Sequence, residues 1–135
     1  MALLLAMAAP AQSQESSKDP LIEAARINAR LAMEYMKRDQ LSVARDKVER
    51  ALALDPKDQT VQLAAGLVYE RLLDTKRAEQ HFRLALRADA NSPEAQNALG
   101  AFLCRHREFA KGEAMFLKAA GNPLYSTPEV AYTNA

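Results

Sequence analysis

Cysteine occurs once in 135 residues, at Cys104, so no disulfide can close within the chain. Tryptophan is absent and glycine occurs four times, with no Gly-rich loop of the kind that cradles a phosphate. The two histidines, His81 and His106, stand far apart, and neither has a carboxylate or thiol at metal-ligand spacing. Charge of one sign is lacking as well. The formal net charge is +1 with acidic and basic residues interleaved, which does not make a polyphosphate-binding surface and argues against a nucleic-acid partner. What the chain does have is 49% hydrophobic residues, rich in Ala and Leu, and 26% charged ones. That balance predicts an all-α protein, either one domain or one piece of an elongated array.

The longest apolar run, MALLLAMAA at residues 1–9, is too short to cross a bilayer as a helix. It ends at Ala9-Pro10-Ala11, a small-x-small pattern like a signal-peptidase site, although no Lys or Arg precedes it. Residues 1–19 therefore read as a signal-peptide-like segment followed by a polar tether.

A period of 34 residues organises the rest. Ala32, Gly66 and Gly100 are separated by that step, as are Ala44, Ala78 and Gly112, and Ala51, Ala85 and Ala119. Larger side chains keep it too, in Tyr35, Tyr69 and Leu103, in Val48, Phe82 and Phe116, and in Leu31, Ala65 and Leu99. Within each unit two stretches of helical periodicity flank a polar turn, at Arg38-Asp39-Gln40, Asp74-Thr75-Lys76 and Arg105 to Glu108. Asp19-Pro20, Ser92-Pro93 and Thr127-Pro128 each put an oxygen-bearing cap before a proline, where the missing N–H costs nothing. Small residues let paired helices approach to about 8–10 Å, and no single pair can hide its apolar face, so the units must stack. The large column of Val48, Phe82 and Phe116 is expected to fill the space between successive pairs.

These columns resemble the tetratricopeptide repeat, with small residues at its eighth, twentieth and twenty-seventh positions and aromatics at the eleventh and twenty-fourth, although Ala90 and Leu124 stand where proline is usual. The resemblance places repeats at 25–58, 59–92 and 93–126, within a repeat domain over 20–126. A fourth would start at 127–135, where Thr127-Pro128-Glu129 repeats Ser92-Pro93-Glu94. The expectation is a piece of a longer array whose last apolar face, including Phe116 and Leu117, lacks its cover. By repeat position the first helix of each pair lines a concave groove. It would present Arg26, Ala29, Met33, Met36 and Lys37, then Thr60, Leu63, Leu67, Glu70 and Arg71, then Glu94, Asn97, Ala101, Cys104 and Arg105. Such a groove has an apolar floor and charges on its rim and suits an apolar or amphipathic peptide segment. The competing expectation is that Met33, Leu63 and Leu67 are inter-helix core and that the arginines and Lys37 are a solvated face.

Asn97-Ala98-Leu99-Gly100, Phe102-Leu103-Cys104 and the run Asn122 to Glu129 are similar to the type IV pilus biogenesis and stability proteins, the PilW/PilF family. The resemblance implies a periplasmic scaffold at the inner face of the outer membrane whose protein partner is the pilus secretin or another pilus-assembly protein. It implies no enzymatic activity and no cofactor. The lipid-bearing cysteine of such proteins does not follow the apolar run here, so membrane association requires an anchor upstream. The alternative is an adaptor in another periplasmic or cytoplasmic complex. Cys104, beside Arg105 and His106, lacks an orienting partner or an oxyanion loop and reads as a packed or groove-edge thiol rather than a nucleophile. Both histidines read as surface residues.

Overall fold

The structure, a computed structural model, describes residues 19–121. Among them are six α-helices and no strand: α1 (Pro20–Lys37), α2 (Leu41–Leu54), α3 (Gln59–Arg71), α4 (Thr75–Ala88), α5 (Pro93–Arg105) and α6 (Phe109–Ala120). The signal-like segment and the start of a fourth repeat lie outside the described residues.

Caps set the helix starts. The Asp19, Asp58, Asp74 and Ser92 side chains accept from the N–H of Leu21, Val61, Arg77 and Ala95, which satisfies donors that have no intrahelical acceptor. Pro20 and Pro93 occupy first-turn positions. The turn inside each pair is built the same way three times. Gln40, Asp74 and Glu108 donate their N–H groups to the carbonyls of Tyr35, Tyr69 and Leu103 at 2.9, 2.9 and 2.8 Å. The residue before each donor, Asp39, Leu73 and Arg107, is left-handed, with φ of 59°, 62° and 68°. This is a Schellman-type reversal, and it folds the second helix back on the first.

The helices pack as three pairs, α1 with α2, α3 with α4 and α5 with α6. Successive pairs then stack: α3 lies against both α1 and α2, and α5 lies against α4 with a lighter touch on α3. This is an all-α tetratricopeptide-repeat solenoid.

The large column packs within its own pair first. A side chain at Gly66 would meet the Phe82 ring, and one at Gly100 would meet Phe116 at 3.0 Å. Phe82 also reaches the next pair, its ring 5.3 Å from that of Phe102. Phe116, expected on an uncovered face, is fully buried against α5, while Leu117 is half exposed and Phe109, at the start of α6, more so. At the other end Ile27 and Leu31 are exposed, while their repeat mates Val61 and Ala65 are buried by the preceding pair.

Candidate functional site

Where α1 and α3 run side by side they leave a trough of about 200 Å³ with an almost wholly apolar lining. Ala29, Arg30 and Met33 form one wall and Thr60, Leu63, Ala64 and Leu67 the other. Met33, Leu63 and Leu67 serve both roles weighed from the sequence, since they pack against the buried core and still present surface to the trough. A partly exposed apolar floor retains a driving force for covering it.

Not every residue expected in the groove lines it. Met36 is buried in the core. Asn97 and Ala101, the α5 mates of Leu63 and Leu67, do not border the trough. Cys104 turns toward α6 and packs on Gly112, a site where any Cβ would collide with its sulfur. It is the packed thiol, removed from the groove edge.

The arginines read as a solvated rim are engaged between units. Arg26 Nε donates to Asp58 Oδ2 at 2.8 Å, and the Asp58 side chain is 5% exposed while it also caps α3. Arg71 reaches back to Asp39 at 3.0 Å. Arg105 holds Glu70 through two hydrogen bonds, each 2.8 Å, a fork geometry that lysine cannot reproduce. Lys37, by contrast, pairs within its own helix, with Glu34. Thus Arg26 and Arg71 link the α1–α2 pair to the α3–α4 pair on either side of the trough, and Arg105 links α5 to α3.

Of the two histidines expected at the surface, His106 is exposed, whereas His81 is drawn partly inside. His81 is half-buried, stacks on Tyr69 with ring centroids 5.4 Å apart, and its Nδ1 lies 2.7 Å from Gln62 Oε1. Because that oxygen can only accept, Nδ1 carries the proton. Gln62 Nε2 donates in turn to the Pro56 carbonyl, and Tyr69 donates its hydroxyl to Glu49 at 3.1 Å. His106 packs its ring on Phe102 at a tilt of 41°, with its Nε2 3.5 Å from Glu70. Sequence reasoning missed the His81–Gln62, Tyr69–Glu49 and His106–Glu70 links because each joins residues far apart in the chain. The repeat frame held the one usable signal, placing Gln62 and Gln96 at equivalent positions but His81 opposite Met115. Among the described residues no group of His, Cys, Asp and Glu is placed to hold a metal ion, and no helix is long and apolar enough to cross a membrane.

No family model matches the chain. Type IV pilus assembly protein PilF of Pseudomonas aeruginosa is 24% identical over 104 residues, which are 77% of this chain and 41% of that protein. The crystal structure of PilW, a widely conserved type IV pilus biogenesis factor, superposes with a TM-score of 0.76 at 36% identity, over 82% of this chain and 50% of that one. The solved structure of the Pseudomonas PilF gives a TM-score of 0.79 at 23% identity and covers 86% of this chain and 52% of its own. The chain therefore spans about half the length of the solved relatives it matches. Helix order, fold and identity together make this chain a tetratricopeptide-repeat protein that resembles type IV pilus biogenesis factors.

Proposed function

We propose that this chain is a non-enzymatic scaffold of type IV pilus biogenesis, working in the periplasm beside the outer membrane. It takes an apolar segment of a pilus-assembly partner, the secretin, into the trough between α1 and α3. The observation that carries the reading is the apolar floor of Met33, Leu63 and Leu67, held open by neighbouring units that arginine–carboxylate pairs tie together. Likeness to the PilW and PilF structures supports the pathway. Arg26 and Arg71 act in this reading by positioning the walls, and Arg105 braces α5 against α3.

Fully covering a Leu or Met side chain contributes about 1.5–3 kcal/mol, and the half-buried residues here retain only part of that. Several must act together. Leu63→Asp combined with Leu67→Asp should therefore abolish capture of the secretin in a pull-down while far-UV circular dichroism stays helical. Both leucines also touch the core, so Thr60→Arg, at an exposed position on the lip, supplies a variant that crowds the trough without opening the interior. Undiminished capture by a folded Thr60→Arg chain would remove the trough from the account.

A further inference from the structure

Repetition provides an internal control for every surface residue. A side chain needed for stacking recurs at steps of 34, and one that departs from its mates invites another explanation. Leu84, on α4, is such a departure: its mates are Arg50 and Lys118, both exposed, yet Leu84 is apolar and half-buried. It floors a hollow of about 340 Å³ with Pro56 and Ala88, and Lys57 and Arg87 stand over it. The cations depart as well. The mates of Lys57 are Glu23 and Asn91, and those of Arg87 are Ala53 and Gly121. Among the described residues, neither the Lys57 ammonium nor the Arg87 guanidinium meets a carboxylate. The helix behind them is basic along its length, with Lys76, Arg77, Arg83 and Arg87 against a single acid, Glu79.

We infer that this hollow, on the second helix of the middle pair and formed by none of the residues that line the α1–α3 trough, is a docking site for an acidic–aliphatic peptide segment of a partner protein. An aliphatic side chain lies on Pro56, Leu84 and Ala88, and an adjacent carboxylate sits between Lys57 and Arg87, accepting from the guanidinium fork. Charge complementarity selects the ligand. A neutral apolar segment would leave two cations over a covered floor, and a basic one would be repelled. The inference does not depend on the pilus reading.

The test titrates the isotopically labelled full chain with two blocked peptides, acetyl-Glu-Leu-Glu-Leu-amide and acetyl-Lys-Leu-Lys-Leu-amide, and follows amide chemical shifts. The glutamate peptide should shift Lys57, Leu84, Arg87 and Ala88 and the lysine peptide should not, and the response should weaken as salt shortens the screening length. The variant Lys57→Asn, Leu84→Arg, Arg87→Ala installs residues that the other units already carry. It should keep the native melting temperature and weaken binding about tenfold or more. Should that variant melt early, Arg87→Glu, a single exposed change, should reverse the preference toward the lysine peptide. Equal response to both peptides, shifts confined to the Met33–Leu67 trough, or no shift at these residues would overturn the proposal. So would a response only to phosphatidylglycerol vesicles, which would assign the hollow to a lipid surface.

Discussion

Leu73 is 88% exposed and sits at φ 62°, in the left-handed region where a β-carbon meets the backbone. It makes no packing contribution that would offset that crowding. The left-handed conformation costs an ordinary residue about 1–2 kcal/mol, and glycine returns part of this through its freer unfolded chain, so Leu73→Gly should raise stability by about 0.5–1 kcal/mol. Urea unfolding read by circular dichroism measures it. His81 makes the opposite case. Its Nδ1–H satisfies Gln62 Oε1, whereas in the next unit Met115 stands at the equivalent position and Gln96 Oε1 is buried with no partner among the described residues. His81→Met therefore copies a less favourable arrangement found in the same molecule. It should cost about 1–3 kcal/mol near neutral pH, the penalty for orphaning a buried acceptor. Burial, with the Arg77 charge second, lowers the His81 imidazole below its ordinary 6.5. As pH falls the unfolded chain takes up that proton before the folded one does. Stability is thus full above pH 6.5 and is lost as pH drops from there through the lowered folded value. Unfolding midpoints compared at about pH 7.5 and about pH 5.5 should fall in the native chain, and this part of the fall should vanish in His81→Met.

At the scale of the helix pair, the 34-residue columns are a set of matched volumes. The first unit pairs Ala32 with Val48, and the later ones pair Gly66 with Phe82 and Gly100 with Phe116. A methyl group at Gly66 would come within 2.7 Å of the Phe82 ring. Gly66→Ala should accordingly destabilise by about 1–3 kcal/mol, the range for an overpacked core. Adding Phe82→Val, which restores the first unit's own combination, should recover part of that loss in a double-mutant cycle. The recovery is partial because Phe82 also contacts Phe102 on the next pair. These columns, the caps at Asp19 and Ser92, and the polar turns were all legible in the sequence, because each is encoded within a few residues or at a fixed step. The left-handed residues were not. Asp39, Leu73 and Arg107 share a position and a backbone conformation but no side-chain chemistry, so nothing in their identity announces the turn. The turns themselves fell within a few residues of their expected places.

Across the whole molecule, the site was less legible than the fold. The repeat frame names which residues face the groove side, and Ala29, Met33, Leu63 and Leu67 do line one trough. It does not say which neighbour a long side chain chooses. Arg26, Arg71 and Arg105 could have pointed to solvent. They turn instead to Asp58, the cap of α3, and to Asp39 and Glu70 of adjoining units, contacts between residues 32 to 35 positions apart. Cys104 likewise turns to α6, where Gly112 leaves room for its sulfur. The frame also carries an assumption of uniformity. The third unit departs from it, as Asn97 stands where Leu63 and Ala29 stand in the others, and the apolar floor belongs to the first two units. The most direct test of the account is a photo-crosslinking amino acid placed at Thr60, on the lip of the trough, and separately at Leu73, on an exposed turn, in cells that assemble type IV pili. The account predicts a crosslink to the secretin from Thr60 and none from Leu73; a secretin crosslink from Leu73 alone, or from neither position, would contradict it.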